Sequence, residues 1–287
     1  MFSIEFFPPK TQVGFDKIET TINLLNSINP QYYSVTYGAG GSTQQGTHKT
    51  VEILRKKNLD VAPHLSCVGS SKQELTELIL QYKEQGIKRL VALRGDLPSG
   101  MGRFGECRYA SDLVELIREI SGDWFHIEVA AYPEMHPQAH SPQQDLQNFI
   151  HKVKAGANSA ITQYFYNSDS YFRFVDELAK QGVNIPIIAG IMPINNYSQL
   201  ARFSDACGAE IPRWLRLRLQ HYYDDVDSMR EFATDVVADL CQKLIDKNVA
   251  GIHFYTLNQP EPTLKVFEKL NITPKHKYNN NGTSAFV

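Results

Sequence analysis

An acidic residue interrupts the first apolar run of the sequence. Glu5 lies between Ile4 and the segment Phe6-Phe7-Pro8-Pro9. An ionised carboxylate among such neighbours loses its hydration, so it needs either a partner or a proton. Two interpretations are therefore open: Glu5 points outward into a salt bridge with a helix, or it is a general acid held in its protonated form.

Polar side chains also stand at the ends of later apolar runs. They are Thr36, His64, the tripeptide Arg94-Gly95-Asp96 and Gln163. Glycine lets a backbone approach a ligand closely, and the Gln163 amide beside aromatic residues suits a flat heterocycle with donor and acceptor edges. His64 by itself is more typical of a hydrogen-bonded core residue than of a catalyst.

The sequence lacks the usual motifs for metals and nucleotides. His136 and His140 are four residues apart, but Pro137 disfavours the helix that would place them on one face. The four cysteines, Cys67, Cys107, Cys207 and Cys241, contain no CxxC pair. No GxGxxG follows the first run, and no GxxxxGK[ST] occurs. We expect no metal site, no Rossmann fold and no P-loop.

The composition favours a small-molecule ligand. The chain has 287 residues, 42% of them hydrophobic, and 29 basic against 31 acidic residues give a net charge of -2. This balance offers no general attraction to nucleic acid or to an anionic membrane. The start MFSIEFFPPK is unlike a signal peptide, and no apolar segment approaches the roughly 20 residues that span a bilayer. We expect a cytoplasmic protein.

These polar residues need elements that bring them together, and the chain supplies a repeating pattern. Eight β-rich runs recur, at residues 2–7, 32–37, 61–66, 89–93, 127–131, 159–165, 186–191 and 251–255. Amphipathic segments lie between them, including residues 72–85, 110–120, 143–155 and 170–181. Several end in a glycine suited to a left-handed helix cap, such as Gly86, Gly156 and Gly182.

Strands that alternate with helices pair in parallel. A doubly wound open sheet would show the same alternation, but the strand count and the repeat spacing favour an α/β fold of the (β/α)8 TIM barrel type. Ile211-Pro212-Arg213-Trp214 begins an extra helical segment between strands 7 and 8, before a long helix at residues 228–248. The pattern predicts one barrel over residues 1–270 and a polar tail over residues 271–287. The carboxyl ends of the strands should carry the chemistry.

Taken together, several motifs resemble one family. In chain order they are FSIEFFPP, SVTYGAGG, APHLSC, VALRGDLP, YASDLV, VAAYPEMHP, ITQYFY and HFYTLN. The chain resembles methylenetetrahydrofolate reductase of the bacterial, stand-alone catalytic type over nearly its whole length. The resemblance implies a barrel that binds FAD non-covalently. NADH or NADPH would reduce the flavin, and methylenetetrahydrofolate would then take the hydride to become 5-methyltetrahydrofolate, which feeds methionine synthesis. It also suggests a homo-oligomer.

The resemblance assigns roles residue by residue. Glu5 matches the general acid that protonates the folate nitrogen, and Asp96 matches the aspartate near flavin and pterin. Substrate contacts match Gln163, Gln199, Phe203 and Gln259. Cofactor contacts match Thr36, His64, Arg94, Gly95, Asp96, Tyr109, Ala130, Tyr132, His136, Asp145, Asn148, His151 and Lys152.

Two positions depart from the family pattern. His151 precedes Lys152 where the family often has arginine, so FAD binding is expected to be weaker or sensitive to pH. Gln259 follows HFYTLN where many members have arginine, which affects how the p-aminobenzoate or nicotinamide end is held. The sequence starts at the first strand and ends in a short tail, so we expect no regulatory domain and no direct inhibition by S-adenosylmethionine.

Three alternatives remain open. The first is a related flavin barrel, such as a proline dehydrogenase or a reductase of another pterin, although Glu5 and Gln163 favour a folate. The second is a flavin-carrying subunit that works only with a partner complex. The third is a non-catalytic binding module, which the retention of both Glu5 and Asp96 disfavours. The sequence does not distinguish NADH from NADPH.

Overall fold

The protein is a closed eight-stranded parallel barrel. The computed structural model describes residues 1–37, 41–95, 105–222 and 224–272, with the backbone alone for residues 41–43. Each strand pairs with the next along the chain, and β8 pairs back with β1. The strands are β1 (Phe2–Phe6), β2 (Tyr32–Val35), β3 (Val61–Ser66), β4 (Arg89–Leu93), β5 (His126–Ala131), β6 (Ser159–Thr162), β7 (Ile187–Ile191) and β8 (Ile252–Tyr255). Closure excludes the open-sheet alternative.

Helices cover the outside of the barrel. They are α1 (Gln12–Leu25), α2 (Gly41–Lys56), α3 (Lys72–Glu84), α4 (Ala110–Ser121), α5 (Pro142–Lys154), α6 (Ser168–Lys180), α7 (Tyr197–Cys207), α8 (Arg213–His221), α9 (Val226–Asp246) and α10 (Pro260–Lys269). A short 3-10 turn, Asn26–Ile28, follows α1. The helix α8, between α7 and α9, is the extra segment expected between strands 7 and 8.

Local signals explain where the helices begin and end. Ser71 and Glu74 form a capping box at the start of α3, and Ser141 caps α5 with Pro142 in its first turn. Gly86 and Gly182 adopt φ of 74° and 75° directly after α3 and α6, a region that favours glycine. The serines thus begin α3 and α5, and the glycines follow the ends of α3 and α6, from which the chain returns to the next strand.

Alternating side chains divide β1 between two environments. Ile4 and Phe6 are fully buried in the main core between barrel and helices. Ser3 and Glu5 face the lumen, where a separate apolar cluster holds Tyr32, Ala62, Val91, Ile161 and Ile188. The lumen also contains a set of buried polar residues: Ser3, Glu5, Ser34, His64, Glu128, Ser159 and His253. The polar groups must therefore satisfy one another inside the barrel.

The predicted carboxyl ends of β1, β2 and β6 were wrong, because these strands stop one to three residues earlier. Pairing continues for a single hydrogen bond past β2 and β6, since the Thr36 N–H donates to Phe6 O (3.0 Å) and the Gln163 N–H donates to Ala131 O (2.7 Å). The other strand limits and the helix limits that were predicted lie within two residues of those observed.

The predicted tail lies mostly outside the described residues, which end at Ile272. The division into a barrel and a tail stays a prediction. Among the residues that the structure describes, no helix has the length and apolar character needed to cross a membrane.

Candidate active site at the barrel rim

Glu5 lies inside the barrel and points towards histidines from two other strands. Its side chain is buried, with Oε2 3.5 Å from His64 Nε2 and 3.9 Å from His253 Nε2. The first histidine belongs to β3 and the second to β8. The interpretation of Glu5 as an outward salt-bridge partner of a helix is therefore wrong.

The loop after β8 holds the β1 end in place. The Thr256 hydroxyl donates to the carbonyl of Glu5 at 2.9 Å. The Asn258 amide forms two hydrogen bonds with Phe7: it accepts from the Phe7 N–H at 2.9 Å and donates to the Phe7 carbonyl at 2.8 Å. Asn258 has φ 59°, a left-handed conformation that asparagine tolerates. Glu5 is thus fixed by backbone contacts on both sides.

Two neighbours of Glu5, His64 and Tyr255, stay neutral at physiological pH. Burial lowers the pKa of His64 to about 4, although Glu5 opposes this shift and His253 adds to it. Burial also raises the pKa of the Tyr255 hydroxyl well above its usual value, and the Glu5 charge raises it further. Neither side chain therefore supplies a positive charge that would hold Glu5 ionised.

Positive charge is concentrated instead at the ends of β4 and β5. The Lys152 ammonium donates to Ala130 O at 2.5 Å. Burial lowers the pKa of Lys152 to about 8, with Asp145 acting against the shift and Arg94 adding to it. The Arg94 guanidinium donates to Gln138 Oε1. Two cations thus lie near each other beside one carboxylate, which favours an anionic ligand.

Gly95 brings the backbone close to β3 at this same place. It has φ 85°, and a Cβ built there would lie 2.0 Å from Ser66 Oγ. The Ser66 hydroxyl donates to Arg94 O at 2.9 Å. No larger residue fits without displacing this contact, so this position requires a glycine.

The remaining cofactor candidates lie on several elements. The His136 N–H donates to Asp145 Oδ2 at 2.8 Å, and the Tyr132 and His136 rings meet edge to face with centroids 4.4 Å apart. Tyr109 is exposed and caps α4, while Asn148 and His151 are exposed on α5. Thr36 follows β2, where its carbonyl accepts from Thr47 Oγ1 at 2.9 Å.

Three of the four substrate candidates line one cavity beside β7 and β8. Gln199, Phe203 and Gln259 share it. Asn196 caps α7 by accepting from the Gln199 N–H at 2.9 Å, and Phe203 lies one turn further along the same face. Asn195 Nδ2 donates to Gln259 Oε1 at 2.5 Å, so this amide is held by a neighbour.

Gln163 stands apart from this group. Gln163 follows β6, and its Oε1 accepts from the N–H of Tyr164 at 3.0 Å. It is not among the residues that line the cavity of Gln199. Asp96 falls within residues 96–104, which lie outside the described residues. Its role stays a prediction.

Sequence reasoning missed two lumen residues of β8. His253 and Tyr255 alternate with Ile252 and Phe254, and the Tyr255 hydroxyl donates to Thr162 O at 2.7 Å. The period-two pattern of this strand carried the signal, because it places both polar side chains on the face opposite the core. Within the described residues, no group of three or more His, Cys, Asp or Glu is arranged to hold a metal ion.

Comparisons with known proteins agree on one family. A family model described as methylenetetrahydrofolate reductase matches residues 1–271. The 5,10-methylenetetrahydrofolate reductase of Pectobacterium carotovorum is 39% identical over 273 residues, covering 95% of this chain and 90% of that protein. A rice protein named probable methylenetetrahydrofolate reductase (NADH) is 33% identical over 96% of this chain and 49% of its own length.

A solved structure shares the fold at low identity. It is described as an uncharacterised protein from Clostridium thermocellum that binds two copies of 5-methyl-5,6,7,8-tetrahydrofolic acid, and it matches with a TM-score of 0.65, 14% identity and 95% coverage of both chains. This likeness supports the barrel, and the relatives support the activity. The chain belongs to the methylenetetrahydrofolate reductase family and is an enzyme of that type.

Proposed function

We propose that this enzyme uses bound FAD to reduce 5,10-methylenetetrahydrofolate to 5-methyltetrahydrofolate, with NADH or NADPH as the electron donor. The donor and the folate would use one site in turn, and the product would supply methyl groups for methionine synthesis. The observation that carries the proposal is Glu5, a buried carboxyl group at the barrel rim beside the neutral His64. The rice relative's name supports NADH as the donor. The cytoplasmic location and a homo-oligomeric state stay predictions.

The described residues fit FAD at the ends of β4 and β5. Arg94 and Lys152 supply the positive charge that a diphosphate needs, and Gly95 keeps the backbone free of a side chain there. Thr36, His64, Ala130 and the α5 side chains would complete the contacts. When bound, FAD accepts a hydride from the nicotinamide donor and passes it to the folate.

Glu5 would donate the proton that opens the folate ring. The bond between the methylene carbon and one bridging nitrogen breaks, the bond electrons stay with that nitrogen, and the nitrogen takes the Glu5 proton. The methylene carbon then forms an iminium with the other nitrogen and can accept a hydride. A neutral His64 suits this role, because a nearby cation would hold the carboxyl group ionised.

The substrate residues would provide two kinds of contact. Phe203 would provide an aromatic wall for stacking of a nicotinamide or a folate ring, with Gln199 one turn away on the same helix. The Gln163 amide would pair with the pterin edge. Gln259 replaces the arginine of many relatives and is held by Asn195, so it would contact substrate without a charge.

The test is an anaerobic stopped-flow comparison of Glu5→Gln with the unmodified enzyme. The amide keeps the size of the side chain but cannot supply a proton. We expect flavin bleaching by NADH to stay within about twofold, whereas reoxidation by methylenetetrahydrofolate should slow by at least about 100-fold. Glu19→Gln, an exposed change on α1, is the matched control. Equal loss of both half-reactions, or unchanged folate reduction, would contradict the role of Glu5.

A further inference from the structure

A chain of buried polar groups leads away from Glu5 into the barrel. His253 Nε2 lies 3.9 Å from Glu5 Oε2 and 3.4 Å from Ser34 Oγ. On the other side of the ring, His253 Nδ1 lies 2.7 Å from Ser3 Oγ. Both residues are fully buried. His253 therefore connects the rim carboxyl group with a hydroxyl deeper in the lumen.

The chain continues through a tyrosine to a second buried carboxylate. Burial raises the pKa of the Tyr32 hydroxyl well above its usual value, Glu128 adds to the rise, and a hydrogen bond with Ser3 opposes it. The same hydroxyl donates to Glu128 Oε1 at 2.9 Å. The Tyr32 and His253 rings lie side by side with centroids 6.3 Å apart. Tyr32 thus bridges Ser3 and Glu128.

Glu128 connects this chain to the opposite end of the barrel. Its Oε1 also accepts from Arg89 Nη1 at 3.0 Å and from Ser159 Oγ at 3.1 Å, and Ser159 Oγ lies 2.7 Å from His126 Nε2. Arg89, His126 and Ser159 are the first residues of β4, β5 and β6, so they mark the barrel floor. The Arg89 side chain is 22% exposed there. His126 is also partly exposed, so the path reaches solvent through Ser159 and His126.

One carboxylate oxygen of Glu128 takes no part in the hydrogen bonds just described. Its Oε2 is buried and has no hydrogen-bond partner among the described residues. If the network served only to neutralise Arg89, both carboxylate oxygens would be expected to accept hydrogen bonds. The unfilled acceptor position indicates that Glu128 has a role beyond neutralising Arg89.

We propose that Ser3, Tyr32, Glu128 and His253 form a proton relay through the barrel lumen that returns a proton to Glu5 after each turnover. The inference rests on the proposed role of Glu5 as the general acid. An acid that gives up a proton in every cycle must regain it, and ligands that cover the rim separate it from solvent on that side. At the floor, the partly exposed His126 keeps a connection to solvent.

The transfer is balanced and moves protons only. His126 takes a proton from solvent and gives its Nε2 proton to Ser159 Oγ, which passes its own proton to Glu128. The Tyr32 hydroxyl, which donates to Glu128 at rest, turns towards Ser3. Glu128 then gives its proton to the Tyr32 oxygen while the Tyr32 proton passes to Ser3. Ser3 passes its own proton to His253 Nδ1, and His253 gives the Nε2 proton to the Glu5 carboxylate. The net change is one proton from solvent to Glu5, and no electron moves. Because the raised pKa of Tyr32 disfavours a phenolate, the protons must move together.

The last step covers the longest gap. The 3.9 Å between His253 Nε2 and Glu5 Oε2 exceeds hydrogen-bond length, so a rotation of Glu5 or a bridge through the Ser34 hydroxyl has to close it. The titratable and charged groups that face the relay are Glu5 from β1, His64 from β3, Arg89 from β4, His126 from β5 and Tyr255 from β8.

The test compares Tyr32→Phe with Tyr33→Phe in the FAD-loaded enzyme. Both changes remove one buried hydroxyl from the same strand, but Tyr33 packs outward against Phe6, with its hydroxyl 3.5 Å from Asn26 Oδ1. Rapid mixing of reduced enzyme with excess methylenetetrahydrofolate and NADH separates the first turnover from later ones. Ser3→Ala interrupts the path at a second point and serves if Tyr32→Phe fails to fold.

We expect Tyr32→Phe to form one equivalent of 5-methyltetrahydrofolate at the normal rate and then to slow by about tenfold or more. Its later turnovers should fall more steeply with rising pH, because protons must then come from the rim. Tyr33→Phe should show no such difference between the first and the later turnovers. Normal steady turnover in both Tyr32→Phe and Ser3→Ala, or slowing of the first turnover as well, would overturn the relay. A first turnover retained in Glu5→Gln would instead overturn the proposed acid.

Discussion

The affinity for FAD should fall as the pH rises above about 8, because Lys152 loses its charge there. Burial, opposed by Asp145 and aided by Arg94, lowers the pKa of this ammonium from 10.5 to about 8. The proposed diphosphate contact requires the charged form. Binding of the anion should therefore draw a proton onto Lys152 whenever the flavin-free protein has lost it.

The size of the effect follows from the pKa. With a value of about 8, about nine tenths of Lys152 is charged at pH 7 and about one tenth at pH 9. If only the charged form binds, the dissociation constant for FAD rises by about tenfold between these two pH values. A lysine with the ordinary value of 10.5 would change it by only a few per cent.

The assay is an equilibrium titration of flavin-free protein with FAD, followed by flavin fluorescence from pH 6.5 to 9.5. Lys152→Arg should remove the dependence, because arginine keeps its charge throughout this range. Lys154→Arg, an exposed change on the same helix, should leave it unaltered. Equal affinity for FAD at pH 7 and pH 9 would refute the reasoning. So would a loss of affinity with rising pH in Lys152→Arg as large as in the unmodified protein.

Two further predictions concern stability. Gly190→Ala should lower the free energy of unfolding by about 1–3 kcal/mol and slow folate reduction, because its Cβ would lie 2.0 Å from Thr162 O and 2.7 Å from Tyr255 Cε2. Urea unfolding measures the first effect and a turnover assay the second. Unchanged values in both would contradict the close contact. His64 has a folded pKa of about 4, below its unfolded value, so its contribution is present above about pH 6.5 and is lost as the pH falls towards 4. Between pH 7 and pH 4.5, His64→Gln should lose less free energy of unfolding than the unmodified protein, by up to about 3 kcal/mol. An equal loss in the two proteins would argue against a buried neutral imidazole.

The barrel could be predicted from sequence because its signals are local. Runs of β-branched and aromatic residues, amphipathic helices and glycines such as Gly86 and Gly182 depend on near neighbours. The ends of β2 and β6 could not be predicted, since Thr36 and Gln163 keep apolar neighbours in sequence yet leave the sheet after one more hydrogen bond. That departure depends on the adjoining strand.

The site was predictable where one residue stands out from its own strand. Glu5 did so among apolar neighbours, and its direction needed only a period-two pattern. Its contacts with His64 and His253 could not be predicted, because these residues lie 59 and 248 positions away in sequence. They come close to Glu5 only when the barrel closes. Nor could the contact between Gln259 and Asn195 be read from either segment alone.

The two hydrogen bonds between Asn258 and Phe7 have a consequence for how the molecule is made. They join residues 251 positions apart, and β1 pairs with β8 along the same seam. Contacts of such long range form late in folding, since the intervening chain must first be ordered. During synthesis, the segment with Glu5 leaves the ribosome long before the strand that completes its surroundings. Catalytic competence would then arrive as a single late event, when the last strand docks.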